Sequence, residues 1–246
     1  MTNIISMWSG PRNISTTMMR AFENRPDTSV LDEPCYGVYL EETDANHPYR
    51  EETLRSYPKD LAGVADWINR AAPQNDYLFC KHIAYHINTD QIERLARGHR
   101  NFILIRNPRL MVASFANKLD NVDPIIASYR HARALRNFLY DAGAPCPIVD
   151  AADILQDPAG MLSKLCAALT MPYLPEMLAW PAGSRATDGP WAPHWYDQVE
   201  RSTGFRSGSP KLAPPLPPDL AAAADAAMAD YSALWNERLM SASTSN

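Results

Sequence analysis

The chain has 246 residues, 46% hydrophobic and 21% charged, with a formal net charge of −5. This length is near the upper size for one core, and the acidic balance excludes a general nucleic-acid binder, which would carry a basic face. Cys35, Cys80, Cys146 and Cys166 lack metal-ligand or CxxC spacing, no basic segment leads into a long apolar run, and no stretch nears the about 20 apolar residues of a membrane span; the expectation is a cytoplasmic protein without a span.

Asn3 to Trp8 reads as a short buried strand, Ser9 to Asn13 as a turn, and Ser15 to Arg25 as a helix with Met18, Met19 and Phe22 on one face. Thr28 to Leu31 is a second apolar run that ends in Asp32, Glu33 and Pro34. Glu41 to Asp60 is polar and reads as a surface excursion. Leu61 to Ala71 is a helix, Tyr77 to Lys81 a strand and Thr89 to Arg97 a helix. Asn101 to Arg106 is the clearest buried strand, followed by helices at Leu110 to Leu119 and Pro124 to Ala142. Pro147 to Asp150 is a further strand, and Pro158 to Leu169 a helix capped by Asp157.

Strands alternating with helices imply an α/β fold, a parallel sheet covered on both faces. Its strand ends, Trp8 to Arg12, Asp32 and Glu33, Lys81 and His82, and Arg106 and Asn107, would meet at one crevice. Pro172 to Pro218 holds ten of the 21 prolines with Trp180, Trp191 and Trp195, and reads as an ordered cover. Asp219 to Met240 reads as a terminal helix. The whole chain, 1–246, is expected to form one domain.

The segment SGPRNISTT, Ser9 to Thr17, carries the most chemistry. A loop opening onto a helix N-terminus offers free amides and the positive end of the helix dipole. Gly10 permits close backbone approach, Arg12 adds a fixed charge, and Ser15, Thr16 and Thr17 add hydroxyl donors. It is not a Walker A loop, because the Lys-Ser/Thr pair is missing; an ordinary capped turn is the alternative reading of the loop taken alone. Arg106 and Ser114, eight residues apart, could grip a second anion. His82 and His86 are four apart, but HIAYH lacks the glutamate of HExxH, so no metal is expected.

SGPRNISTTMMRAF resembles the 5′-phosphosulfate loop and helix of the sulfotransferases, P-loop-like proteins that use 3′-phosphoadenosine 5′-phosphosulfate. FILIRNPRLMVASF resembles their 3′-phosphate motif, and VDAADILQDPAGMLSKLCAALTMPY their later strand, turn and helix. The three follow in family order between Asn3 and Tyr173. Arg12 stands where many members have lysine, which is similar to the divergent bacterial type. The family's Arg-Lys-Gly element is absent, and Ser202 to Phe205 (Ser202, Thr203, Gly204 and Phe205), Arg206 and Lys211 are candidates to replace it.

The resemblance implies a three-layer P-loop NTPase-like fold and sulfuryl transfer to a small-molecule acceptor, a hydroxyl or amine. It places Ser9, Gly10, Arg12, Asn13, Ser15, Thr16 and Thr17 around the donor's 5′ end, and Arg106 and Ser114 on its 3′-phosphate. Lys81 would stabilise the sulfuryl oxygens, and Glu33 and His82 compete as the base. Trp191, Trp195 and Tyr196 could line the acceptor pocket, stack on adenine or simply pack the cover. A nucleoside-kinase-like phosphotransferase and a catalytically silent nucleotide-binding module are the alternatives, and a homo-oligomer stays open.

Overall fold

The structure, a computed structural model, describes residues 3–115, 123–206 and 213–240. Leu119 and Lys211 lie outside them. Five parallel strands form the sheet: β1 (Asn3–Ser9), β2 (Thr28–Asp32), β3 (Tyr77–Ile83), β4 (Arg100–Ile105) and β5 (Ile148–Asp150), in the order β2-β3-β1-β4-β5. Parallel neighbours need crossovers, and helices supply them on both faces.

Side chains alternate across each strand with period two. Trp8, Leu78, Cys80, Ile103, Ile105 and Ile148 face one layer, formed by α2 (Tyr36–Glu42), α4 (Leu61–Ala71), α5 (Thr89–Ala96), α6 (Pro108–Phe115), α7 (Asp123–Asp141) and α12 (Pro218–Asn236). Ile5, Met7, Phe79, Phe102, Leu104 and Val149 face the other, formed by α1 (Ser15–Glu23), α8 (Ala151–Gln156) and α9 (Pro158–Ala168). Both layers bury near-continuous apolar surface, which is why the strands read as apolar runs. Tyr129, Ala132, Leu135 and Leu139 form the buried stripe of α7.

Local signals set several helix starts. Asp60 caps α4 through Gly63 N at 2.7 Å, Asn88 and Gln91 form a capping box on α5, and Asp157 caps α9 through Gly160 N at 2.9 Å. The polar stretch Glu41 to Asp60 is less irregular than its composition suggests. It begins within α2 and contains α3 (Arg50–Ser56), which buries only Thr53 and so leaves little apolar periodicity to read. The terminal helix ends at Asn236, before Met240; Leu239 N then bonds Ile148 O at 2.8 Å, running the chain beside β5.

The proline-rich cover is tied down by polar contacts. Buried Arg20 of α1 reaches Asp188 at 2.7 Å, and Asn24 Nδ2 bonds the carbonyls of Glu176 and Ala179 at 2.8 and 2.7 Å. Two short helices, α10 (Ala192–Trp195) and α11 (Asp197–Glu200), bring Trp191 and Tyr196 onto the sheet's C-terminal edge.

Asn101 is buried in β4 and holds three partners: Trp8 Nε1 donates to Oδ1 at 2.9 Å, and Nδ2 donates to Ala96 O and His99 O at 2.8 and 2.9 Å. Asn101→Ala removes the acceptor of Trp8 Nε1 and the side-chain donor to His99 O, while Ala96 O keeps its bond from His99 N at 3.2 Å, and the change is expected to cost about 2 kcal/mol of unfolding free energy. Urea denaturation measures this, and an unchanged midpoint would contradict it.

Candidate functional site

A cleft of about 1010 Å³ opens along the carboxyl edge of the sheet. Arg12 and Ile14 in the loop between β1 and α1 both adopt left-handed backbone, at φ 61° and 58°. Alternating left-handed turns point successive amides inward, and such concavities suit anions. No side chain caps α1 at Ile14, so the helix's first amides keep their capacity for a ligand. Ser15, Thr16 and Thr17 line the cleft beside them.

The loop and the end of β4 are joined directly. Arg106 NH1 donates to Arg12 O at 2.6 Å, and Arg12 Nε donates to Ser114 Oγ at 3.3 Å. Arg12, Arg106 and Ser114 therefore share one wall of the cleft. Among the described residues neither guanidinium is ion-paired with a carboxylate. Burial lowers the pKa of both, and the nearby Arg12 charge lowers that of Arg106 further. Two desolvated cations facing one space would be relieved by a bound anion.

Ser9, Gly10 and Asn13 act from behind this wall. Ser9 Oγ donates to Gly10 O, and Asn13 Nδ2 donates to Leu104 O at 3.2 Å. A Cβ on Gly10 would press on Met111 and Ser128 at 3.2 to 3.3 Å, so this glycine admits neighbouring helices rather than a ligand. Gly204 and Arg206 line the cleft. Phe205 instead packs edge-on against Trp180, with ring centroids 5.3 Å apart.

The second wall holds a buried polar cluster. Asp32 stands opposite Lys81 in the parallel register of β2 and β3. Lys81 Nζ donates to Asp32 Oδ1 at 2.7 Å, Glu33 Oε1 at 2.6 Å and Tyr196 OH at 2.5 Å. Tyr196 OH donates on to Asp32 Oδ2 at 2.7 Å and accepts from Trp191 Nε1 at 3.1 Å. Glu33 sits at φ 47°, a strained conformation for a residue with a side chain. Burial, and secondarily Asp32, raise its carboxyl to about 7 against the pull of Lys81.

His82 does not join this cluster. It is fully buried, stacks on Trp8 with centroids 4.2 Å apart, and lies with Nδ1 3.7 Å from Cys35 Sγ. Burial drops its pKa to about 3. The expected strand end at Lys81 is displaced: β3 continues to Ile83, so the pleat turns His82 to the face opposite Lys81. His86, read from sequence as a structural histidine, does line the cleft. Its Nδ1 lies 3.8 Å from Glu33 Oε2 and its ring stacks on Tyr36 at 4.5 Å. Asp32 adjoins Glu33 along the chain, whereas His86, just beyond β3, reaches Glu33 only because β3 pairs with β2. Among the described residues, no group of three or more His, Cys, Asp or Glu is arranged to hold a metal ion.

A parallel sheet of this order, with a loop of left-handed turns between its central strand and first helix, defines a P-loop-like α/β protein. Residues 2–237 match the family described as Sulfotransferase domain, and the chain belongs to that family. The sulfotransferase domain from the curacin biosynthetic pathway superposes with a TM-score of 0.57 at 18% identity, over 92% of this chain and 97% of its own. A sulfotransferase from Alicyclobacillus acidocaldarius gives 0.55 at 12% identity, over 97% of each chain. These likenesses show the shared fold. Branched-chain-amino-acid aminotransferase-like protein 2 of Arabidopsis thaliana is 37% identical over 210 residues, covering 83% of this chain and 36% of that protein. Protein 1 of the same name and organism is 36% identical over 212 residues, covering 86% and 38%. The chain thus spans a little over a third of each of these relatives. No helix among the described residues is long and apolar enough to cross a membrane.

Proposed function

We propose that the protein transfers a sulfuryl group from 3′-phosphoadenosine 5′-phosphosulfate to a hydroxyl or amine of a small acceptor. The observation that carries this reading is the joined wall of Arg12, Arg106 and Ser114, facing the Lys81–Glu33 cluster across one cleft. The donor is a multiply charged anion, and its transfer is catalysed mainly by positioning and charge stabilisation. In this assignment Arg12, the loop amides, Thr16 and Thr17 hold the 5′-phosphosulfate. Arg106 and Ser114 hold the 3′-phosphate and so select this nucleotide over ATP. Gly204 and Arg206 border the same cleft.

Glu33 is assigned as the base and Lys81 as the cation for the sulfuryl oxygens. A carboxyl poised near 7 suits proton abstraction at neutral pH. His82 is left out because its imidazole faces the core. The acceptor end is walled by Tyr36, Tyr85, His86 and Trp191, which suits an acceptor with a flat apolar body.

Thermal shift tests the nucleotide assignment. Adenosine 3′,5′-bisphosphate at 100 times its dissociation constant is expected to add about 2.7 kcal/mol of stability, while ADP and ATP add much less at equal concentration. Stronger protection by ATP with Mg²⁺ would instead favour the kinase-like reading. Tight bisphosphate binding without sulfate release would mark a silent binding module.

A further inference from the structure

An ammonium has three N–H donors, and those of Lys81 are all taken, by Asp32, Glu33 and Tyr196. Asp32 is engaged at both oxygens in turn: Oδ1 accepts from Lys81, and Oδ2 accepts from Tyr196 OH and from Gly189 N at 3.1 Å. Two of these contacts come from the cover, 157 and 164 residues along the chain from Asp32. A lysine so bound has no donor free for a transferring oxygen. One partner must let go.

Resting on the sulfotransferase reading above, we propose that Asp32 and Tyr196 are positioning residues of the transfer centre: they lock two of the three Lys81 donors, so that the donor held by Glu33 is the one released to the sulfuryl group. The acceptor oxygen forms a bond to sulfur as the bond from sulfur to the 5′-phosphate oxygen breaks, and the phosphate keeps the electron pair. The acceptor's proton passes to Glu33. Neutralised, Glu33 loosens its charge-assisted bond, and that Lys81 N–H turns to the oxygens gaining charge. Proton acceptance and cation release thus become one event. The cover completes the centre rather than merely closing over it.

The groups facing Glu33 are Lys81 on β3, Asp32 on β2, Tyr36 on α2, Tyr57 just after α3, Tyr85 and His86 beyond β3, and Tyr196 from the cover. Asp32 is the other carboxylate on the shared ammonium, and its charge opposes ionisation of Glu33.

The test uses the full chain labelled with ¹³C and ¹⁵N in lysine, with the Lys81 signal assigned through Lys81→Arg. Its shift is followed against pH, alongside sulfate release from 3′-phosphoadenosine 5′-phosphosulfate with water as acceptor. The wild type should show an inflection near pH 7 that Glu33→Gln abolishes. In Asp32→Asn, loss of the opposing charge should move the inflection to lower pH. In Tyr196→Phe, the unlocked donor should speed exchange of the Lys81 ammonium with water. That variant should also cut sulfate release about tenfold, with adenosine 3′,5′-bisphosphate affinity within about twofold. An unmoved inflection in Asp32→Asn together with unchanged exchange in Tyr196→Phe overturns the proposal. So does a parallel fall of turnover and nucleotide affinity in both variants, which would mark scaffolding alone. A wild-type protein that binds the bisphosphate but releases no sulfate overturns the transfer reading separately, while the titration still reports whether Asp32 controls Glu33.

Discussion

Glu33→Gln is expected to lower sulfate release by about 10²- to 10⁴-fold, the range for loss of a positioned general base, with adenosine 3′,5′-bisphosphate affinity nearly unchanged. Glutamine keeps the shape and one acceptor for Lys81 but cannot take a proton. In the wild type the rate should climb as pH rises through about 7, because the base must be ionised. The variant's residual rate should lack that limb. Stability runs the opposite way. Glu33 has a folded pKa raised above its unfolded value, so its contribution is full below about 4.5 and is lost as pH rises through about 7. Glu33→Gln should therefore remove this decline, gaining on the wild type between pH 5 and pH 8. Denaturant titrations at both pH values measure it. A variant with wild-type turnover would dismiss Glu33 as the base.

Arg106→Ala is expected to weaken adenosine 3′,5′-bisphosphate binding about 100-fold, close to 2.7 kcal/mol, while ADP binding changes little. The guanidinium is half-buried at the end of β4; the Asp150 charge favours its protonated form, but among the described residues no carboxylate pairs with it directly. Among the described residues its guanidinium donates to the backbone of Arg12, which leaves the rest of the fork for a phosphate. Arg106→Lys should restore only part of the affinity, since a point charge cannot both bond Arg12 O and present a planar fork. Isothermal titration with the two nucleotides separates the outcomes. Equal losses for both would show that Arg106 supports the loop rather than the 3′-phosphate.

The loop around Arg12 was legible because its signals are local: a strand, a turn and a helix start with hydroxyls lie within one short segment. The relation of Arg106 to Ser114 was legible for the same reason, as a strand end followed by a helix. The orientation of His82 was not. Whether it lies inside β3 or beyond it depends on where pairing with β1 stops, and the pairing of Ile83 with Ser9 belongs to the sheet. The short helix α8 was also hidden, since the Asp150 cap and six residues give too little periodicity.

Composition and period by themselves determined the alternation of strands and helices, the two-sided core and the loop between β1 and α1, because each depends on neighbours a few residues apart. Only the tertiary structure decided which polar groups meet. The order of the strands sets Asp32 beside Lys81, and the docking of the cover brings Tyr196 onto both. Contacts between residues more than a hundred positions apart leave no periodic trace along the chain, since they are chosen by packing and by the need to satisfy every buried charge.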